Sequence, residues 1–115
     1  MKSPFGEMLA SLIRLRGVLG SMVVDERDGI VVDSNLSIGV QGPVVAALAA
    51  SLYRKTRQAA MAAELGETAF LQLEAERGRV CVVGRGDLVV VVVAEARANV
   101  GLIRVELLRA LETLP

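Results

Sequence analysis

The chain has 115 residues, with 13 Lys plus Arg against 13 Asp plus Glu, no His, one Cys and no Trp. The length fits one domain spanning residues 1–115, and the lack of His with a single Cys excludes a Cys/His zinc site, an imidazole general base and an internal disulfide. Zero net charge and few aromatic side chains argue against nucleic-acid binding, and the longest apolar run, Leu88 to Ala94, is too short for membrane insertion. The first residues lack the apolar core of an export signal, so we expect a cytoplasmic location.

The N-terminal part of the chain predicts a helix followed by a β-hairpin. Apolar residues recur at helical spacing from Pro4 to Arg16. Two β-branched runs then follow, Ser21 to Asp25 and Ile30 to Ser34, and they flank Asp28-Gly29. An Asp-Gly pair favours the positive φ of a tight hairpin turn, so these runs are predicted to pair as antiparallel strands.

The rest of the chain predicts a long helix, three strands and a closing helix. The segment from Pro43 to about Leu65 is alanine-rich and has helical spacing, and Thr68 to Glu76 alternates between apolar and polar residues. Further strands are predicted over Arg79 to Val83 and Leu88 to Ala94, and a helix from about Asn99 to Leu114. The predicted order, α-β-β-α-β-β-β-α with short turns between successive strands, indicates a mainly antiparallel sheet between helical layers.

The distribution of helices over this sheet predicts self-association. Two of three helices must share one face, which leaves the alanine-rich helix alone on the other, next to a half-polar strand. A flat apolar surface beside an unpaired edge is usually buried in an interface, so we expect a homodimer.

Few residues offer catalytic or ligand chemistry. Gly84-Arg-Gly86 lies between two strands and indicates a hairpin turn, and the acidic residues around Asp28 lack the spacing of a calcium loop. Cys81 has no base beside it and is expected in the core. No nucleophile and base pair is present, so we expect neither an enzyme nor a bound cofactor or metal.

One basic cluster, consisting of Tyr53, Arg54, Lys55 and Arg57, leaves two interpretations open. It is either a solvated helix end, where positive charge suits the helix dipole, or a contact for an acidic or phosphorylated partner. Arginine beside tyrosine is common in interfaces, which favours the second interpretation somewhat.

The segment from Gly17 to Asp33 resembles the opening of the Roadblock/LC7 family, whose members carry a similar glycine, apolar strand, acidic turn and second strand. The alanine-rich helix, the glycine-turned strands and the segment from Asn99 to Leu114 follow in the family's order. The resemblance implies a three-layer α/β/α fold with a five-stranded antiparallel sheet in the order 2-1-5-4-3. It also implies two helices on one face and one on the other, with dimerisation through the third strand and the second helix.

The resemblance also implies a non-enzymatic partner of a Ras-like small GTPase, similar to bacterial gliding-type regulators. A nucleotide-independent scaffold and a small-ligand sensor stay open as alternatives. If an arginine acts in trans, Arg54, Arg57 and Arg85 are all candidates. The expected GTPase contact consists of Tyr53, Arg54 and Arg57, and the expected dimer interface consists of Ala49, Leu52, Ala60, Ala69, Phe70 and Leu71.

Overall fold

The structure is a computed structural model that describes residues 3–114. Its elements, in chain order, are α1 (Gly6–Ile13), β1 (Val18–Asp25), β2 (Val31–Leu36), α2 (Gly42–Ala62), β3 (Leu71–Ala75), β4 (Gly78–Arg85), β5 (Leu88–Ala94) and α3 (Val100–Leu111).

The five strands form one antiparallel sheet in the order β2-β1-β5-β4-β3, which confirms the order implied by the family resemblance. β5, the strand without polar residues, lies in the centre, where both of its faces are covered. Alternate valines of β5 therefore enter two different cores: Val90 and Val92 pack on one face, and Val89 and Val91 pack on the other.

The two cores place the helices in three layers, as expected. Leu12 of α1 and Ile103 and Leu107 of α3 pack on one face of the sheet. Ala46 and Ala50 of α2 pack on the opposite face. The first core is further tied by the Ser21 hydroxyl of β1, which donates to the Leu9 carbonyl at 2.9 Å.

Four elements are shorter than the sequence pattern predicts. α2 ends at Ala62 and not near Leu65, α3 covers Val100–Leu111 and not Asn99 to Leu114, and α1 and β3 are the other two. α1 covers Gly6–Ile13 and not Pro4 to Arg16, because the chain turns at Ser3, whose hydroxyl accepts from the Phe5 N–H, and again at Gly17, which has a φ of +86°. β3 begins at Leu71 and not at Thr68. The Thr68 carbonyl accepts a hydrogen bond from the Tyr53 hydroxyl of α2 at 3.3 Å, which draws this part of the chain toward the helix.

Within residues 3–114, no helix combines the length and the apolar character that crossing a bilayer requires.

Candidate functional site on helix α2 and strand β3

The turn between β1 and β2 is held against α2 by two arginines. Arg54 donates from Nη1 to the backbone carbonyls of Glu26 and Arg27, at 3.0 and 3.2 Å. Arg57, one helical turn further on, forms an ion pair with the Glu26 carboxylate. Glu26 is only 8% exposed, and its N–H donates to the Asp87 carbonyl in the β4–β5 turn at 2.9 Å. We call the segment Asp25–Gly29 the arginine-held turn.

The arginine-held turn is also ordered from within. The Asp25 carboxylate accepts the N–H groups of Arg27 and Asp28, at 2.8 and 3.2 Å, as in an Asx turn. Gly29 has a φ of +68°, and a Cβ at this position would lie 3.1 Å from the Ala47 Cα. The hairpin predicted from Asp28-Gly29 therefore also requires glycine because α2 approaches it closely.

Tyr53 lies beneath this surface and not on it. Its side chain is 3% exposed, and its ring covers Gly84 of β4. Burial and, to a smaller degree, the nearby Glu26 carboxylate raise the pKa of the Tyr53 hydroxyl. The hydrogen bond to Glu26 raises the pKa of Arg57, so the guanidinium keeps its positive charge at neutral pH. Of the expected GTPase-contact residues, only Arg54 and Arg57 reach the surface, where both are part of the attachment of the turn.

The remaining surface of α2 has two distinct regions. Leu52 lies on the side of the helix opposite Arg54, since successive residues rotate by about 100°, and it therefore points away from the arginine-held turn. Ala60 lies toward this same side and is half-buried, whereas Ala49 is fully buried in the core. The outward face exposes Val44, Leu48 and Lys55, of which the first two were not singled out from the sequence.

The β3 side of the sheet is only partly covered by α2. α2 packs mainly on β1, β2, β4 and β5, and β3 lies at the edge. Leu73 pairs with Val80, and Val80 pairs with Val93, so these side chains share one face with Leu71. All four are only partly buried. We call this patch, Leu71, Leu73, Val80 and Val93, the open sheet face.

The expected interface residues on β3 and just before it are divided between the two faces of the sheet. Leu71 packs toward α2, whereas Phe70 packs into the core beneath α1 and α3. The Arg104 guanidinium lies 5.2 Å from the centroid of the Phe70 ring. Ala69 is exposed just before β3 begins. The alternation in the sequence predicted this division and placed Leu73 on the face of Leu71, but Leu73 was not among the expected interface residues. Val80 and Val93 could be recognised only from the strand register.

Cys81 is buried, and Arg85 contacts the end of α3. Burial raises the pKa of the Cys81 thiol to about 11, so it stays protonated at neutral pH. Arg85 donates to the Leu111 carbonyl at 3.3 Å. Within residues 3–114, no three Cys, Asp or Glu side chains are grouped so as to hold a metal ion. The groove at the arginine-held turn has a volume of about 550 Å³ and is lined by charged residues: Asp25, Glu26, Arg27, Asp28, Arg54 and Asp87.

Comparisons with known proteins agree with this fold. The Roadblock/LC7 domain model matches residues 4–94. The chain is 33% identical over 107 residues to the uncharacterized protein MJ1340 of Methanocaldococcus jannaschii, and this alignment covers 93% of each protein.

Two solved structures have a similar fold. The gliding protein MglB of Thermus thermophilus is 20% identical and has a TM-score of 0.82, with 99% of this chain and 90% of that chain covered. MglB in a tetrameric arrangement is 20% identical and has a TM-score of 0.85, with 99% and 89% covered. These similarities show the fold alone. Since the domain model spans most of the chain and an archaeal relative shares a third of its residues, the chain belongs to the Roadblock/LC7 family.

Proposed function

We propose that the protein is a non-enzymatic regulator that forms a homodimer through α2 and β3 and binds a Ras-like small GTPase. The observation that carries self-association is the open sheet face, because its apolar side chains are only partly buried in one protomer. GTPase binding is supported by the family and by the similarity of the fold to the gliding protein MglB. A small GTPase partner would place the protein in the cytoplasm.

Self-association is supported by the geometry of the β3 side of the molecule. The open sheet face adjoins the side of α2 that carries Leu52 and Ala60, and both border the unpaired edge of β3. A second copy can add its β3 to this edge while its own α2 covers Leu73 and Val80. The backbone groups at the edge of β3 would then be hydrogen-bonded, and the apolar side chains of the open sheet face would be buried.

The proposed GTPase contact consists of the arginine-held turn and the outward face of α2. Val44 and Leu48 expose apolar surface on the outward face of α2, and the groove at the arginine-held turn is lined by charged residues. This combination suits a protein partner better than a small apolar ligand. Arg54 and Arg57 shape this surface by fixing the turn, with Tyr53 packed beneath. Binding one nucleotide state better than the other would shift the switch conformation of the GTPase without any chemistry from this chain.

One observation favours the scaffold as a second candidate. Arg54, Arg57 and Arg85 all bind groups within the protomer, so none of these three is free for insertion into a nucleotide site. A scaffold needs no such arginine, and its affinity would not depend on the nucleotide.

The test is to measure binding of the purified protein to Ras-like GTPases encoded in its own genome, loaded with GDP or with a GTP analogue. We expect tighter binding of one nucleotide state. Equal affinity for both states would support the scaffold, and lack of binding to any of these GTPases would contradict the proposal.

Variants test where the partner binds. Lys55→Glu reverses an exposed charge on α2 without breaking the attachment of the turn, so we expect it to weaken GTPase binding in a folded protein. Arg97→Glu, in the loop before α3, is the matched control and should bind normally. The double variant Arg54→Glu/Arg57→Glu should weaken binding further, because it also releases the turn. Unchanged affinity in both α2 variants would contradict this placement.

A further inference from the structure

Arg104 of α3 is an exposed cation at the edge of the sheet. Its guanidinium lies over the ring of Phe70, which directly precedes β3. The ion pairs found within residues 3–114 are Arg57 with Glu26, Arg79 with Glu74, and Arg109 with Glu106, and none of them includes Arg104. Arg104 therefore presents an unneutralised positive charge beside the unpaired edge.

β3 presents a carboxylate on the same face of the sheet. Its residues alternate in direction, so Gln72 and Glu74 share the face of Phe70. Glu74 forms an ion pair with Arg79 of β4 at 2.9 Å, but its side chain stays 67% exposed. The carboxylate has enough free acceptor capacity for a second cation.

Strand geometry decides where this carboxylate would lie in a pair of β3 strands. Two copies of one strand can pair antiparallel about a two-fold axis. Residues of the same face then lie opposite each other only if the axis lies midway between the two copies of one residue. We name the axis by that residue. An axis at Gln72 puts Glu74 of the second copy directly opposite Phe70, and an axis at Leu73 puts it on the diagonal. Both arrangements are within reach of long side chains. An axis at Glu74 would put two carboxylates opposite each other, which is unfavourable.

We infer that Arg104 of each protomer binds Glu74 of a second copy across the β3 edge. Each Glu74 carboxylate then bridges Arg79 of its own chain and Arg104 of the other. This contact recognises a second copy of this chain by charge, on the face of the sheet opposite the open sheet face. The inference rests on the proposed self-association through β3.

A double-mutant cycle tests the contact. The dimer dissociation constant is measured by sedimentation for the unchanged protein, Arg104→Gln, Glu74→Gln and the double variant, at low salt. Two symmetric exposed ion pairs correspond to about a 2- to 30-fold weakening for each single variant. The double variant should be no weaker than the weaker single variant, since each change already removes the same contact. Arg97→Gln is the matched control and should leave the constant unchanged.

The outcomes separate this inference from the one on which it rests. In one outcome, the unchanged protein dimerises and the double variant loses as much affinity as the two single variants together. In that case the contact between Arg104 and Glu74 is overturned and self-association stands. If the unchanged protein is monomeric at all concentrations tested, both are overturned. High salt should remove the difference between the variants if the contact is ionic.

Cross-linking reports the position of the axis. In a Cys81→Ala background, Gln72→Cys and Leu73→Cys are oxidised separately, because facing residues of antiparallel strands lie at a distance that a disulfide can span. A cross-linked dimer from one of the two variants supports the inference and fixes the axis. A dimer that cross-links at neither position contradicts the contact between Arg104 and Glu74, because only these two axes bring the groups within reach.

Discussion

At position 84 the protein requires glycine because the Tyr53 ring occupies the space of a side chain. A Cβ at this position would lie 2.6 Å from Cε2 of Tyr53. We expect Gly84→Ala to lower the free energy of unfolding by about 1–3 kcal/mol, since the ring and the strand must move apart. Urea denaturation of the purified protein measures this change.

Gly6→Ala is the control for that experiment. Gly6 begins α1, and a Cβ there would have no heavy atom within 4 Å. We expect a neutral or slightly stabilising effect, because alanine has the higher helix propensity. Equal losses in both variants would contradict the packing argument.

Cys81 gives the protein a defined weakness at alkaline pH. Its thiol has an ordinary pKa of 9.0 when accessible, and burial raises the pKa to about 11 in the folded protein. Between these values the unfolded chain releases the thiol proton and the folded protein keeps it, so stability falls as pH rises, by about 1.4 kcal/mol per pH unit. We expect the stability of Cys81→Ala to fall less steeply from pH 9 to 11, as measured by urea denaturation under reducing conditions.

The same comparison below pH 8 is the control for the alkaline experiment. The thiol is protonated in both states there, so the unchanged protein and Cys81→Ala should show parallel stability curves. The raised pKa of Tyr53 adds a similar decline above pH 10 in both proteins, which cancels in the comparison. Parallel curves up to pH 11 would contradict the buried thiol.

The burial of a single residue could be predicted from the sequence where the chemistry of its own side chain decides it. Cys81 was expected in the core because free cysteine is often buried, and the structure confirms its burial. Tyr53 was expected at a contact surface because it adjoins arginines, yet it is buried within the protomer. The difference depends on Gly84, which is 31 positions away in the chain. Only the packing of α2 on β4 brings these two residues together.

Among the structural elements, the arginine-held turn should respond unequally to loss of its two charged partners. The Glu26 side chain is 11% exposed, whereas the Arg57 side chain is 35% exposed. Arg57→Ala leaves a buried carboxylate without its cation, so we expect the free energy of unfolding to fall by about 1–3 kcal/mol. Glu26→Gln leaves an arginine that water can solvate, so we expect a loss of about 1 kcal/mol or less. Thermal or urea unfolding of the two variants provides the measurement.

A larger loss in Glu26→Gln than in Arg57→Ala would contradict this account of the turn. Arg109→Ala serves as the control, because its ion pair with Glu106 is exposed and lies within α3. Its effect should be close to zero.

Helices and strands could be predicted where residues close in the sequence determine their conformation. The hairpin, the long α2 and the apolar β5 follow from an Asp-Gly turn, helical spacing and an uninterrupted apolar run. The ends of α1 and β3 were not predictable, because a serine turn shortens one and a hydrogen bond from a distant tyrosine displaces the other. The attachment of the β1–β2 turn to α2 was also missed, since Glu26 and Arg57 are neighbours only in the folded chain.

At the scale of the whole molecule, the two edges of the sheet should differ in their effect on self-association. Leu73→Arg places a charge in the middle of the open sheet face beside β3, so we expect a monomer that stays folded. Val32→Arg replaces an apolar residue that is 50% exposed on β2, the opposite edge, and should leave the dimer intact. Sedimentation and circular dichroism of both variants check these outcomes.

Leu71→Pro is an independent test of the same edge. Proline cannot donate a backbone hydrogen bond and disrupts a strand, so this variant should also be monomeric. A stable, folded dimer of Leu71→Pro would contradict pairing through β3.

The irregularity in β2 limits how large such an assembly becomes. The pairing of β1 with β2 shifts between Val23 and Val24, where Val24 pairs with Val31 and Val23 pairs with Asp33, so Val32 is an additional residue that bulges from the strand. In a dimer joined through β3, only the two β2 strands remain as outer borders. A bulge followed by an acidic residue interrupts the regular spacing of the backbone N–H and C=O groups with which another strand would pair. We therefore expect no further chain to add at β2. For the same reason, we expect this small distortion to protect a valine-rich protein against growth into fibrils.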